Sequence, residues 1–122
     1  MRNMAKKKIM VVDDEPDNRQ TVKTVLEKEG YEVVTANSGD DCLEKLEKEN
    51  PDLILMDIMM PGTPVRDVVE KIKDTKIAYL SVVRTSEAEK EDLLGQGNVV
   101  GFIQKPFDID ELASKVKDIV SE

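Results

Sequence analysis

The chain reads IMVVDD at residues 9–14 and LILMD at residues 53–57, and both runs have the composition of buried parallel strands. Neither run alternates polar and apolar residues, so helices should cover both faces of the sheet that contains them. Both runs end in acidic residues, with Asp13 and Asp14 closing the first and Asp57 closing the second. Because open α/β sheets bind ligands at the carboxyl ends of their strands, these acids mark the candidate site.

The rest of the chain continues the alternation of strand and helix patterns, which predicts an α/β fold built as (βα)5. The expected architecture is a doubly wound, flavodoxin-like sheet of five parallel strands in the order 2-1-3-4-5. Pro16 and Ser38 suit helix starts, and Gly30 suits a helix end. The predicted strands cover about 8–13, 31–36, 53–57, 76–83 and 99–103, and the predicted helices cover about 16–30, 38–50, 63–73, 86–95 and 108–120.

The length and charge of the chain limit both its fold and its partners. Its 122 residues predict one domain, with a core at about 8–120 and a basic, solvated N-terminal tail at 1–7. Aromatic residues make up only 3% of the chain, so the core should be aliphatic. The net charge of -8 argues against direct binding to nucleic acid, which requires a basic surface.

The single cysteine and the N-terminal sequence bear on the cellular compartment. Cys42 has no partner for an internal disulfide and is expected to be a small buried hydrophobe on the second helix. Residues 1–5 lack the apolar segment of a signal peptide, and no run has membrane-spanning length. A cytoplasmic location with no membrane partner is therefore expected.

Several strand ends would meet at one edge of the predicted sheet. Strands one and three are neighbours in the expected order, so Asp13, Asp14 and Asp57 should share a crevice. The hydroxyl of Ser81 and the ammonium of Lys105 follow the fourth and fifth strands. Three neighbouring carboxylates repel one another and favour a bound cation. Oxygen ligands in a chain without histidine suit Mg²⁺, with Mn²⁺ as a stand-in, and the whole set suits a metal-assisted phosphoryl group.

Three short motifs occur at these strand ends. They read VDDEP at residues 12–16, MDIMMPG at residues 56–62 and KPF at residues 105–107. Together and in this order they resemble the signature motifs of response-regulator receiver domains, the signalling modules of two-component systems, and in particular the single-domain chemotaxis type. The resemblance extends over about residues 8–120.

The resemblance implies a role for each residue that matches a motif. Asp57 would be the phosphoacceptor, which takes a phosphoryl group from a sensor histidine kinase, a phosphotransfer protein or a small phosphodonor. Asp13 and Asp14 would hold Mg²⁺ together with Asp57 and the backbone carbonyl of Met59. Lys105 would pair with Asp57 and then with the phosphoryl oxygens. This agrees with the chemistry of the side chains, because a carboxylate can act as a nucleophile that forms an acyl phosphate.

Two further positions match the residues that transmit the phosphoryl state in this family. Ser81 corresponds to the switch hydroxyl and Phe102 to the switch aromatic. The implied output is a changed affinity for a downstream effector through the predicted fourth helix, fifth strand and fifth helix, and a phosphorylation-linked homodimer is a further expectation. The chain would then be a stand-alone signalling switch rather than an enzyme, although it would assist its own phosphorylation and dephosphorylation.

Three alternatives stay open on the sequence alone. A phosphatase or phosphotransferase with an aspartyl nucleophile would space its acids two residues apart after strand one and would need a substrate cap. A flavin-type electron carrier would need a loop rich in Ser, Thr and Gly where residues 13–15 are all acidic. A degenerate receiver would bind partners without phosphorylation. It stays open because the interval from Asp57 to Ser81 is shorter than is usual in the family, which also predicts a trimmed third helix or following loop.

Overall fold

The computed structural model describes residues 7–57, 65–72, 75–81, 99–104 and 109–120. Within these ranges the chain forms the strands β1 Lys8–Val12, β2 Glu32–Ala36, β3 Leu53–Asp57, β4 Lys76–Ser81 and β5 Val99–Gln104. It also forms the helices α1 Pro16–Lys28, α2 Gly39–Glu49, α3 Val65–Glu70 and α4 Ile109–Val120. The fourth helix that the sequence predicts, at 86–95, lies outside the described residues, so α4 corresponds to the fifth predicted helix.

The described strands form one parallel sheet in the order β2-β1-β3-β4-β5, which confirms the predicted fold class and strand order. In the register of the central strands, Val12 of β1 lies between Ala36 of β2 and Met56 of β3. The two strands that lead into acidic residues are therefore neighbours, and they end at nearly the same level of the sheet.

Alternate residues of β1 supply two separate core layers. Ile9 and Val11 belong to the layer beneath α1 and α4, whereas Met10 and Val12 belong to the layer beneath α2 and α3. All four side chains are fully buried. Since each face of the sheet is covered by helices, no position in this run tolerates a polar side chain.

The structure bears out the predicted signals at the ends of α1 and α2. The hydroxyl of Ser38 accepts a hydrogen bond from the Asp41 N–H at 3.0 Å, which caps α2. Asn50 follows α2 with a φ of 47°, and Gly30 follows α1 with a φ of 96°. Both residues adopt the left-handed conformation that commonly ends a helix.

The third helix ends earlier than the sequence predicts. The expected helix continues to about residue 73, but the part of α3 that the structure describes, Val65–Glu70, ends at Glu70. The N–H groups of Lys71 and Ile72 donate to carbonyls three residues earlier, which tightens the chain and ends the α-helical hydrogen-bond pattern. The short interval in the sequence predicts a trimmed third helix or following loop, and Val68 and Ile72 are both buried where α3 ends.

Cys42 on α2 is fully buried in the layer beneath α2 and α3, as predicted. Burial, assisted by the negative charge of Asp41, raises the pKa of its thiol to about 12. The thiol is therefore protonated at neutral pH and serves as a small apolar side chain.

Candidate functional site

The carboxyl edge of the sheet brings the predicted acids together. Asp13 follows Val12, whose partner in the neighbouring strand is Met56, and Asp57 follows Met56. One carboxylate oxygen from each of Asp13, Asp14 and Asp57 lies within 4.8 Å of the others. We call these three residues the acid cluster. The side chains of Asp13 and Asp57 are buried, with 1% and 7% exposed, whereas Asp14 is exposed to solvent.

Hydrogen bonds within the β1–α1 turn fix the position of Asp13. Its N–H donates to the Ala36 carbonyl at 3.1 Å and so extends the pairing of β1 with β2 by one residue. Its Oδ1 accepts a hydrogen bond from the Glu15 N–H at 2.9 Å. A carboxylate that binds the backbone two residues further along is a usual feature of aspartate in turns. The first acid of the cluster is therefore held by the neighbouring strand β2 and by Glu15, the residue that precedes α1.

A cation that the sequence motifs do not identify also contacts this turn. The Nη1 of Arg19 donates to the Asp13 carbonyl oxygen at 2.7 Å. Arg19 is the fourth residue of a helix that begins at Pro16. Because helical side chains point back toward the N-terminus, a long side chain at this position can reach the preceding turn. This spacing was available in the sequence and could have indicated the contact.

The structure describes the backbone positions of the two predicted switch residues. Leu80 is the register partner of Asp57, so Ser81 is the next residue toward the carboxyl edge. Phe102 lies within β5, where its register partner is Tyr79 of β4. Ser81 therefore ends the strand beside β3, whereas Phe102 lies on the outer strand of the sheet.

Two predicted site residues lie outside the part of the chain that the structure describes. Lys105 follows Gln104, the last residue of β5, and Gln104 is the register partner of Ser81. Met59 lies two residues after the end of β3. The roles of Lys105 and Met59 stay predictions from the sequence.

The chemistry of the acid cluster fits a hard divalent cation. All three donors are carboxylate oxygens, and the chain contains no histidine. Its one cysteine, Cys42, is buried in the apolar layer beneath α2. Mg²⁺ prefers oxygen ligands and keeps several waters, which an exposed acid such as Asp14 allows. The cluster therefore fits Mg²⁺ and is a poor site for zinc or copper.

Comparison with known proteins now supplies the family. The family model of the response regulator receiver domain matches residues 9–117. This chain belongs to that family. Receiver domains are signalling switches of two-component systems and generally not classical enzymes.

A curated relative and two solved structures support the assignment to the receiver family. The chain is 35% identical over 116 residues to the alkaline phosphatase synthesis transcriptional regulatory protein PhoP of Bacillus subtilis, covering 93% of this chain and 48% of PhoP. The receiver therefore spans about half the length of this curated relative. The chemotaxis protein CheY4 of Vibrio cholerae superposes with a TM-score of 0.85 at 31% identity, covering 94% of this chain and 99% of CheY4.

The second solved structure is the response regulator protein TrrA from Thermotoga maritima, in complex with Mg²⁺-BeF. It is 37% identical, with a TM-score of 0.79, and the alignment covers 93% of this chain and 98% of TrrA. The family match favours a receiver over the phosphatase and the flavin-type carrier. Among the helices that the structure describes, none has both the length and the apolar character needed to cross a bilayer.

Proposed function

We propose that this receiver domain is a phosphorylation-dependent switch that accepts a phosphoryl group on Asp57 in a Mg²⁺-dependent reaction. The observation that carries the proposal is the acid cluster, whose three carboxylates lie within 4.8 Å of one another at the carboxyl edge of the sheet. Such a collection of like charges is unfavourable without a cation and is common at functional sites.

The acid cluster, Met59 and Lys105 have different roles in this proposal. Asp13, Asp14 and Asp57 would hold Mg²⁺ with the carbonyl of Met59, and the bound metal would neutralise charge on the transferred phosphoryl oxygens. The presence of Mg²⁺-BeF in the TrrA structure supports the choice of metal. Lys105 would add a second positive charge at the same group.

Asp57 is the nucleophile in this proposal because it is both buried and held by a central strand. A carboxylate oxygen of Asp57 attacks the phosphorus of the donor, and the bond to the leaving group breaks with its electron pair leaving on that group. The product is an acyl phosphate. Attack by water on the same phosphorus releases inorganic phosphate, restores the carboxylate and resets the switch.

The signal would leave the site through Ser81 and Phe102. Ser81 ends the strand beside Asp57, and Phe102 lies on the edge strand β5. Receiver domains interact with histidine kinases or phosphotransfer proteins and with effectors. For this chain we infer a kinase or phosphotransfer protein as the phosphoryl source and an effector, or a second copy of the chain, on the face of β5, α4 and the predicted fourth helix.

Intact mass measurement after incubation with acetyl phosphate and MgCl₂ tests the proposal. The parent protein should gain one phosphoryl group, and EDTA should prevent the gain. The Asp57→Asn variant should gain none. Asp52→Asn is the matched control, because Asp52 precedes the same strand but lies at its amino end, where it accepts a hydrogen bond from the Lys8 N–H.

The two negative results have different meanings. Full labelling of the Asp57→Asn protein would show that the acceptor is another residue. Absence of labelling in the folded parent with Mg²⁺ present would favour the degenerate receiver, which binds partners without phosphorylation.

A further inference from the structure

Arg19 lies on α1, outside the acid cluster, but it binds the turn that carries two of the cluster residues. The 2.7 Å bond from its guanidinium to the Asp13 carbonyl is a short, charge-assisted hydrogen bond. Arg19 is partly buried, so the bond is partly shielded from water. The hydrogen bonds of Asp13 to the Ala36 carbonyl and to the Glu15 N–H restrain the same residue.

The Asp13 carbonyl belongs to the peptide that leads into Asp14. Because a peptide unit is planar, holding this carbonyl also holds the amide nitrogen of Asp14 and restricts the direction in which its side chain leaves the backbone. Asp14 is exposed and makes no hydrogen bond with any other residue that the structure describes. The hydrogen bond from Arg19 to the Asp13 carbonyl therefore restrains the backbone of Asp14, whose own side chain makes no hydrogen bond that would do so among the described residues.

The positive charge of Arg19 also acts on a second acid, Asp41. Asp41, at the start of α2, is close enough for the positive charge of Arg19 to affect its ionisation. Partial burial raises the pKa of Asp41, but the Asn37 N–H, the Lys45 ammonium and the Arg19 guanidinium together hold it below its ordinary value. Arg19 has the smallest effect of the three on Asp41, whereas its hydrogen bond to the Asp13 carbonyl at 2.7 Å is a direct contact.

We propose that Arg19 is a positioning residue for the acid cluster, and that its hydrogen bond to the Asp13 carbonyl oxygen holds the Asp13–Asp14 turn in the conformation that binds Mg²⁺. Arg19 touches neither the metal nor the phosphoryl group in this proposal and acts only through the turn. The inference rests on the proposed function, because it concerns the same metal site.

Electrostatics alone predicts the opposite effect. Removing a positive charge close to three carboxylates should strengthen the binding of a cation. A positioning role predicts weaker binding when the same residue is replaced by an uncharged one, because the turn loses a restraint. The sign of the change in Mg²⁺ affinity therefore separates the two roles.

Isothermal titration of the full chain with MgCl₂ measures this sign directly. Arg19→Met keeps an unbranched apolar side chain but removes the hydrogen-bond donor. The dissociation constant of this variant for Mg²⁺ should rise about tenfold, which is the lower end of the effect of losing a hydrogen bond that supports a metal ligand. Arg19→Lys retains a charged donor and should recover most of the affinity. Lys23→Met is the matched control, since Lys23 lies one turn further along α1 and pairs with Glu27 at 2.8 Å.

Thermal unfolding of the same variants without metal gives the second measurement. If Arg19→Met lowers the melting temperature but binds Mg²⁺ as tightly as the parent, or more tightly, Arg19 has only a structural or electrostatic role and the inference is wrong. If the parent binds Mg²⁺ and is labelled on Asp57, and the Arg19→Met variant binds Mg²⁺ with the same affinity, only this inference is overturned. A parent that binds no Mg²⁺ would overturn the proposed function and this inference with it.

Discussion

The amino and carboxyl edges of the sheet differ in how their charged side chains are arranged. At the amino edge, the Nζ of Lys8 lies 3.4 Å from a carboxylate oxygen of Glu32 and 3.4 Å from one of Glu49. The Lys8 N–H also donates to the Asp52 carboxylate at 2.8 Å. At the carboxyl edge, the acid cluster collects three negative charges within 4.8 Å. Among the residues that the structure describes, the amino edge pairs Lys8 with acids, whereas the carboxyl edge brings three acidic side chains together beside one cation, Arg19.

This difference separates charges that serve the fold from charges that serve binding. Two full charges 4.8 Å apart repel by roughly 3 kcal/mol at an effective dielectric constant of 20, and less where water reaches them. Repulsion of this size destabilises the fold unless a bound cation or other partners of the acids offset it. The amino edge has the arrangement expected of a purely structural surface, so the same sheet offers an internal control for the carboxyl edge.

Replacing Asp57 by Asn should give the largest change in stability. Without divalent cations, Asp57→Asn should raise the free energy of unfolding by about 2 kcal/mol, because it removes one of the repelling charges and a charge that is largely buried. With saturating Mg²⁺ the parent should regain this difference or exceed it, since a ligand that binds only the folded state stabilises it. Urea unfolding in EDTA and in MgCl₂ measures both values.

The result in EDTA decides whether the acid cluster is strained. If Asp57→Asn is less stable than the parent in EDTA, then hydrogen bonds of Asp57 outweigh the repulsion, and the carboxyl edge resembles the amino edge more closely than its charges indicate.

Replacing Lys8 by Met should give a smaller change of the opposite sign. The variant leaves Glu32 and Glu49 without the cation that lies between them, so the melting temperature should fall, and the fall should shrink at high salt. Mg²⁺ affinity and labelling of Asp57 should match the parent, because Lys8 is at the other end of the strands. A change in Mg²⁺ response as large as that of Asp57→Asn would mean that the two edges are coupled.

The sequence predicted the carboxyl edge far better than the amino edge, and the reason is physical. Asp13 and Asp57 each follow a continuous apolar run, so the pairing of two buried strands alone brings them together. The cluster around Lys8 joins the starts of two strands to the end of a helix, and no local pattern encodes that meeting. The sequence places Arg19 in the first turn of α1, within reach of the preceding turn, but it does not show which backbone carbonyl accepts the hydrogen bond.

The end of the third helix could not be predicted for a related reason. Val68, Val69 and Ile72 have the spacing of a helical apolar face, and all three are buried. A single tight turn at Lys71 and Ile72 keeps the same face against the sheet without continuing the α-helix. The spacing of the apolar residues thus indicates which side chains enter the core, but it does not indicate the hydrogen bonding of their backbone.

Asp41 lies near the carboxyl edge but has the balanced surroundings of the amino edge. Its Oδ2 accepts from the Asn37 N–H at 3.1 Å and lies 3.1 Å from the Nζ of Lys45, which in turn donates to the Thr35 carbonyl at 2.7 Å. In the acid cluster, by contrast, three carboxylates lie within 4.8 Å of one another. Replacing Asp41 therefore tests whether the effect of an acid on stability depends on its ion pair and hydrogen bonds or on its location near the carboxyl edge.

The smallest expected effect is the pH dependence that Asp41 adds. Partial burial raises its pKa, but the Asn37 N–H, Lys45 and Arg19 lower it below its ordinary value. The folded state therefore binds this proton less readily than the unfolded state, so Asp41 contributes stability above the unfolded pKa and loses it as the pH falls through the folded value.

Above about pH 5, Asp41→Asn should be less stable than the parent by about 0.5 kcal/mol, the usual scale of an i,i+4 ion pair. Urea titrations at successive pH values should show this difference shrinking once the pH falls below the unfolded value of about 4 and reaching zero only below the lower folded pKa, where the parent carboxyl is also neutral. A difference that stays constant to low pH would show that the hydrogen-bond geometry of Asp41, and not its charge, provides the stabilisation.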